Sequence, residues 1–273
     1  MLESILINIV FQLIYFIVVV FLFGYIISLI NKMFYKFTNN NKTICYLTGL
    51  IGTPIHELSH AVMCVVFMHK IHEIKLFHID KASGTLGYVK HSYKKKSLYQ
   101  TVGNYFIGTA PIVVGTLFIY VLIKFMLPSV FSSVNMHIED FATAQSSGFN
   151  SDLFIVAVNS VFGIVGDIFS GIATGAAWWI FIVLAFSIAL HMNLSSLDIK
   201  GSLKALPFLI IALAIVNFFL GFVFTDLYSH FVSFMNTAGS YLSGVLILSL
   251  VLSGLCCLVA FAIRTFIRLI THR

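Results

Sequence analysis

Charge is what this chain has least of. Asp, Glu, Lys and Arg together make up 10% of its 273 residues, against about 25% in an ordinary soluble domain. A folded sphere so poor in charge cannot cover itself in water, which excludes a soluble enzyme, a disordered tail and a nucleic-acid module. Cysteine is scarce as well: Cys45, Cys64, Cys256 and Cys257 form no CxxC pair. They are too few and too scattered for a disulfide framework or a cysteine-based zinc site, and read as small core or lipid-facing residues, with Cys45 in a loop. The opening Met1-Leu2-Glu3-Ser4 lacks the basic segment of a signal peptide. The apolar run from Ile5 to Ile30 is also far longer than a signal core, so it reads as a retained span. No sequence period repeats, which excludes a solenoid.

What the chain has instead is apolar length: 59% hydrophobic residues and a mean hydropathy of +1.01. A helix needs about 20 apolar residues to cross the hydrocarbon core. Runs of that kind fall at 5–31, 49–68, 101–126, 173–192, 206–225 and 241–263. The expectation is an all-α polytopic membrane protein of about six transmembrane helices, one integral-membrane domain over residues 1–273. The stretch 127–172 opens polar and turns apolar at 153–168, interrupted by Asn159, Gly163, Gly166 and Asp167; it reads as a re-entrant or surface helix. After the second span, 71–79 and 85–93 are β-prone and flank Asp80-Lys81-Ala82-Ser83-Gly84, which has turn chemistry, so a small cytoplasmic β-hairpin is expected at 71–93.

The net charge of +6 is a matter of sidedness. Lys70, Lys75, Lys81, Lys90, Lys94, Lys95 and Lys96 lie between the second and third spans, Lys200 and Lys204 after the fourth, and Arg264, Arg268 and Arg273 at the C-terminus. The stretches 127–172 and 227–240 have no basic residue; the first carries Glu139, Asp140, Asp152 and Asp167, and Asp226 immediately precedes the second. Alternating spans place the first three groups on the cytoplasmic side and the last two stretches outside as loops. Lys32, Lys36 and Lys42 run against that order. Trp178 and Trp179 open the fourth span and are expected in the outer interface belt. The Phe-, Ile- and Lys-rich composition fits a bacterial cytoplasmic membrane.

One stretch carries chemistry. In Gly52-Thr53-Pro54-Ile55-His56-Glu57-Leu58-Ser59-His60 the two histidines are four apart on a helix. Both imidazoles project from one face and can hold one Zn²⁺, while Glu57 is turned to reach a metal-bound water. Two histidines and a glutamate in an apolar helix are costly without partners, and a metal is such a partner. A catalytic zinc wants a third protein ligand. Met63 and Val66 stand where a metzincin would need Gly and His. Of the acids, Asp198 lies at a cytoplasmic helix boundary; Asp167 and His191 are the alternatives. His69, His72, His78 and His91 read as solvated hairpin residues, with a second metal site as the other reading.

The HExxH span, the basic hairpin after it, Gly108-Thr109-Ala110-Pro111 and the later Asp198 resemble the site-2 proteases, intramembrane zinc metalloproteases that cut membrane-embedded substrates. The resemblance covers about 50–205, and the lack of room for a PDZ domain is similar to the compact bacterial branch. It implies a catalytic core over 49–205, built from the HExxH helix, the hairpin 71–93, the helix 101–126 and an aspartate-bearing helix end at 173–200. It implies His56, His60 and Asp198 as zinc ligands and Glu57 as the catalytic glutamate. Its partners would be the lipid bilayer and a membrane-protein substrate with a transmembrane helix, with no nucleic acid. Two departures stand out: Asp198-Ile199-Lys200-Gly201 replaces Asp-Gly, and the asparagine usual after the Gly-Pro element is missing, leaving Asn104 as the substitute substrate-binding residue. The rival readings are a metal transporter or permease and an inactive protease-like protein that binds membrane partners. Ion transport is disfavoured because 101–126, 206–225 and 241–263 contain no acid.

Overall fold

The computed structural model describes residues 2–80, 84–146, 148 and 150–271. Its first apolar run forms α1 (Leu2–Leu13) and α2 (Val20–Phe37), joined by a π-helical turn at Ile14–Val19 into one continuous rod. Asn39 and Asn40 then take left-handed φ values of 54° and 51°, a conformation asparagine tolerates better than most residues. Asn41 caps α3 (Lys42–Val66) by accepting hydrogen bonds from the N–H groups of Thr43 and Ile44. The helix starts well before the expected 49, so Cys45 is helical rather than in a loop.

The expected hairpin is present and shorter: β1 (Lys70–Lys75) pairs antiparallel with β2 (Tyr88–Ser92). The middle of the expected turn, 81–83, lies outside the described residues. Pairing continues towards it, with His78 N–H donating to Leu86 and Asp80 N–H to Thr85. Gly84, at φ +75°, supplies a left-handed position there that a side chain would strain. On the exposed face Glu73 accepts from Lys90 Nζ at 2.8 Å and from the Tyr88 hydroxyl at 2.6 Å. The Lys90 ammonium, then that hydroxyl, hold the Glu73 carboxyl down, at about 2.

Ser97 caps α4 (Leu98–Met126), the central helix, which packs against α3 and against α7 (Ala176–Leu190), α8 (Ser196–Val223) and α9 (Thr225–Thr271). It buries one side among these helices and leaves Leu117, Phe118, Val121 and Phe125 exposed, as an apolar membrane-spanning helix can. Ile112, Ile119 and Ile123 are fully buried there with Ile188 of α7 and Leu246, Leu248 and Leu252 of α9. Polar pairs bridge helices within this apolar mass. Thr116 and Ser249 join α4 to α9 at 2.8 Å, and the amides of Gln12 and Asn217 exchange hydrogen bonds between α1 and α8.

Among the described residues six helices are long and apolar enough to cross a membrane and two strands form one hairpin, so the chain is an all-α polytopic membrane protein with a small hairpin. The six differ from those expected. The polar part of 127–172 is itself helical, α5 (Pro128–Ser146), and the supposed re-entrant stretch is α6 (Ser151–Ser170), which a 3₁₀ turn extends to Thr174. Asn150 caps α6, and its breaks are absorbed by packing: Gly163 lies under the His137 ring of α5, and Ser160 donates to the His137 carbonyl. By contrast α7, where a full span was expected at 173–192, has 15 residues, about 22 Å against a core of about 30 Å. Trp178 is buried there, its indole N–H donating to the Ile168 carbonyl, whereas Trp179 beside it is exposed. The expected loop 227–240 is absent as well, because α9 runs unbroken for 47 residues.

Candidate metal centre

His56 and His60, one turn apart on α3, bring their Nε2 atoms within 3.2 Å of each other. The other nitrogen of each ring is tied to a carbonyl. His56 Nδ1–H donates to His191 O at 2.7 Å, and His60 Nδ1–H donates to Ile107 O at 2.8 Å. A carbonyl oxygen can only accept, so the hydrogens sit on Nδ1, and in neutral rings both Nε2 atoms present lone pairs. Two lone pairs facing at that distance repel, and a cation between them satisfies both. An outer N–H held by a carbonyl is also how metal-binding imidazoles are usually oriented.

Both carbonyls are free for a physical reason. Ile107 lies four residues before Pro111 inside α4. Proline has no N–H, so the ladder bond that would close on Ile107 O is missing. His191 follows the last turn of α7, where carbonyls have no helical partner. Gly52 lets α7 come this close, since a Cβ there would stand 2.8 Å from His191 Cβ and collide with the Ser187 carbonyl.

Asp198 completes the group from the first turn of α8, not from the end of a helix over 173–200 as expected. Ser195 caps α8: its hydroxyl accepts from Asp198 N–H at 3.1 Å, while Asp198 Oδ2 accepts from Ser195 N–H at 2.8 Å. The reciprocal cap fixes the carboxylate and leaves Oδ1 3.6 Å from His60 Nε2. One donor atom from each of His56, His60 and Asp198 lies within 4.8 Å of the others. Donors in a tetrahedral zinc site with bonds of 2.0–2.1 Å stand about 3.3 Å apart, and two imidazoles with a carboxylate are a familiar catalytic set, so these residues fit zinc. Gly108 of α4 makes the approach possible: a Cβ there would lie 2.6 Å from the Asp198 carbonyl oxygen and overlap the Ser202 hydroxyl.

Glu57 is buried beside this group, with Gly87 packed so closely that a Cβ on it would lie 2.8 Å from Glu57 Cγ. Two cavities of about 580 and 470 Å³ meet at His56, Glu57, Thr85, Gly87 and Ser195. The smaller also touches His60, Asp198, Asn104 and β2 from Tyr88 to His91. All five expected site residues thus border one space. Asn104 does so with its amide nitrogen spent on its own helix, donating to Thr101 O at 3.2 Å and Gln100 O at 3.4 Å. The alternatives for the third ligand stand differently. Asp167 pairs with His137 at 3.5 Å between α6 and α5, and His191 contributes its carbonyl while its ring Nδ1 faces Ser187 O.

Sequence reasoning missed the two supporting carbonyls, which no side-chain motif encodes, although Pro111 four residues after Ile107 was a usable signal. Pro111→Ala restores an N–H that competes with His60 for Ile107 O. The expected result is a 10–100-fold weaker metal affinity, measured by competition with a chromophoric chelator, with the helical content of the protein unchanged. Comparison with protein-family models, with curated proteins and with solved structures finds no match to this chain.

Proposed function

We propose that the chain is an intramembrane zinc metalloprotease, which hydrolyses a peptide bond in or near a transmembrane segment of a membrane-protein substrate. The observation that carries this reading is the convergence of His56 Nε2, His60 Nε2 and Asp198 Oδ1 beside a buried glutamate that borders a cavity. When bound, zinc polarises the scissile carbonyl and makes a water acidic enough to attack near neutral pH. The protein supplies the rest. His191 O and Ile107 O hold the imidazoles in the metal-binding tautomer, and the cap on Ser195 holds the carboxylate. Glu57 takes a proton from the attacking water and passes it to the leaving amine. Asn104 borders the same cavity and is the residue assigned to substrate binding. Lys200 and Lys204 follow Asp198 in the first turns of α8, and basic residues are favoured on the inner face, which supports a centre towards the cytoplasmic side of a bacterial membrane.

A substrate helix must unwind before cleavage, and each freed backbone group in an apolar medium costs several kcal/mol. β2 borders the cavity and, among the described residues, has one edge without a partner strand, on which an extended substrate can re-pair by strand addition. Successive N–H groups of a strand point to opposite edges, so proline at Val89 or Lys90 removes one outward donor in one of the two cases. That variant should lose cleavage of a reporter transmembrane peptide while keeping its metal; normal cutting by both would reduce the hairpin to a connector. The whole reading is tested by the same reporter in liposomes. Cleavage should cease on chelation and return with zinc, and a chain that binds zinc yet leaves every transmembrane reporter intact would overturn it.

A further inference from the structure

Cys64 stands one turn beyond His60 on α3 and extends the row of His56 and His60 along one face. The helix ends just past it in a Schellman turn. Met68 takes a left-handed φ of 56°, its N–H donates to Val65 O at 3.1 Å, and His69 N–H donates to Cys64 O at 2.8 Å. This cap brings the residue after the left-handed position against the residue whose carbonyl it bonds, so it sets the His69 side chain beside Cys64. From the other side β2 delivers His91, whose Nδ1 lies 3.1 Å from His69 Nδ1. The Cys64 sulfur and one nitrogen of each ring all lie within 4.8 Å of one another.

The group is held as a binding site is held. His69 Nε2–H donates to Gln100 O at 2.7 Å, so the lone pair of the neutral ring is on Nδ1, directed at His91. Tyr93 stacks on the His69 ring at 5.1 Å, and the Gln100 side chain donates to the Met68 carbonyl at 2.8 Å, fixing ring and turn together. Cys64 and His69 are buried and His91 half-buried.

We propose that Cys64, His69 and His91 hold a second divalent cation of the zinc class, which pins β2 to the C-terminal end of α3. A thiolate with two imidazoles selects zinc over magnesium or calcium, whose ligands are oxygens. The 3.1 Å between ring nitrogens is close to the roughly 3.3 Å of a tetrahedral pair. The cation ties the helix that carries the first centre to the strand that lines its cavity, and it takes no ligand from His56, His60 or Asp198. The inference is independent of proteolysis and needs no substrate to test.

The experiment uses the full chain in detergent, with zinc counted by mass spectrometry and cobalt substituted for spectroscopy. The expected count is two zinc ions per chain in the unaltered protein and one in either Cys64→Ser or Asp198→Ala. The first centre contains no sulfur, so a thiolate-to-cobalt charge-transfer band reports the second centre alone. It should be present in the unaltered protein and in Asp198→Ala, absent in Cys64→Ser, and retained in Cys45→Ser and in Cys256→Ser. His91→Ala lies on the hairpin, outside the helical core, and should weaken cobalt binding at this centre by at least 100-fold. One zinc per chain in the unaltered protein, or an undiminished band in Cys64→Ser or His91→Ala, would overturn the proposal.

Discussion

Glu57→Gln is expected to keep a full complement of metal and to lose turnover by a factor of about 10² to 10⁴, the usual contribution of a positioned proton-transfer group. The geometry separates the two properties. Glu57 is not among the atoms that converge with the His56 and His60 nitrogens, yet it borders both cavities that meet at the centre. Glutamine has the same shape, so the contact with Gly87 survives, as do the bonds of the two imidazoles to Ile107 O and His191 O. What is lost is a group that can accept and return a proton. Single-turnover cleavage of a reporter peptide, with metal counted on the same sample, checks both halves. Unchanged turnover would mean that another base does this work, and unchanged turnover together with lost metal would remove zinc from the reaction.

The parts of this centre legible in the sequence were those written in side chains at short spacing. His56, Glu57 and His60 announce themselves because four residues on a helix is one face. The hairpin was legible from its β-prone runs and Asp80 to Gly84, although its strands stop at Lys75 and Tyr88. Helix continuity was harder to read. Gly163 and Gly166 look like breaks, but a glycine inside a helix costs only about 1 kcal/mol relative to alanine, and Gly163 is where α6 meets the His137 ring of α5. The polar residues of 227–240 need no loop to satisfy them, since hydroxyls such as those of Ser229 and Ser240 donate to carbonyls of their own helix. Cys64 had no local signal at all, since its neighbours His69 and His91 meet it through a helix cap and a strand pairing.

Asp198 is the residue whose loss should cost most, because it does two things at once. Oδ2 closes the cap on α8 and Oδ1 faces the imidazoles. Asp198→Ala should therefore lose metal at the first centre by more than the 10–100-fold that follows removal of an outer partner, abolish cleavage, and lower stability by about 1 kcal/mol through the missing cap. Asp198→Asn separates the two effects. Its amide oxygen can still accept from Ser195 N–H, so the cap and the melting temperature should survive, while a neutral oxygen is a far weaker ligand than a carboxylate. A metal titration on both variants, and a thermal melt of the metal-free proteins beside the metal-free unaltered chain, distinguish the roles. Loss of metal in both with a lowered melting temperature in alanine alone is the expected pattern. Full metal retention in Asp198→Asn and Asp198→Ala would show that the third ligand comes from elsewhere, and the reading of the two histidines as half of a hydrolytic zinc centre would lose its partner on α8.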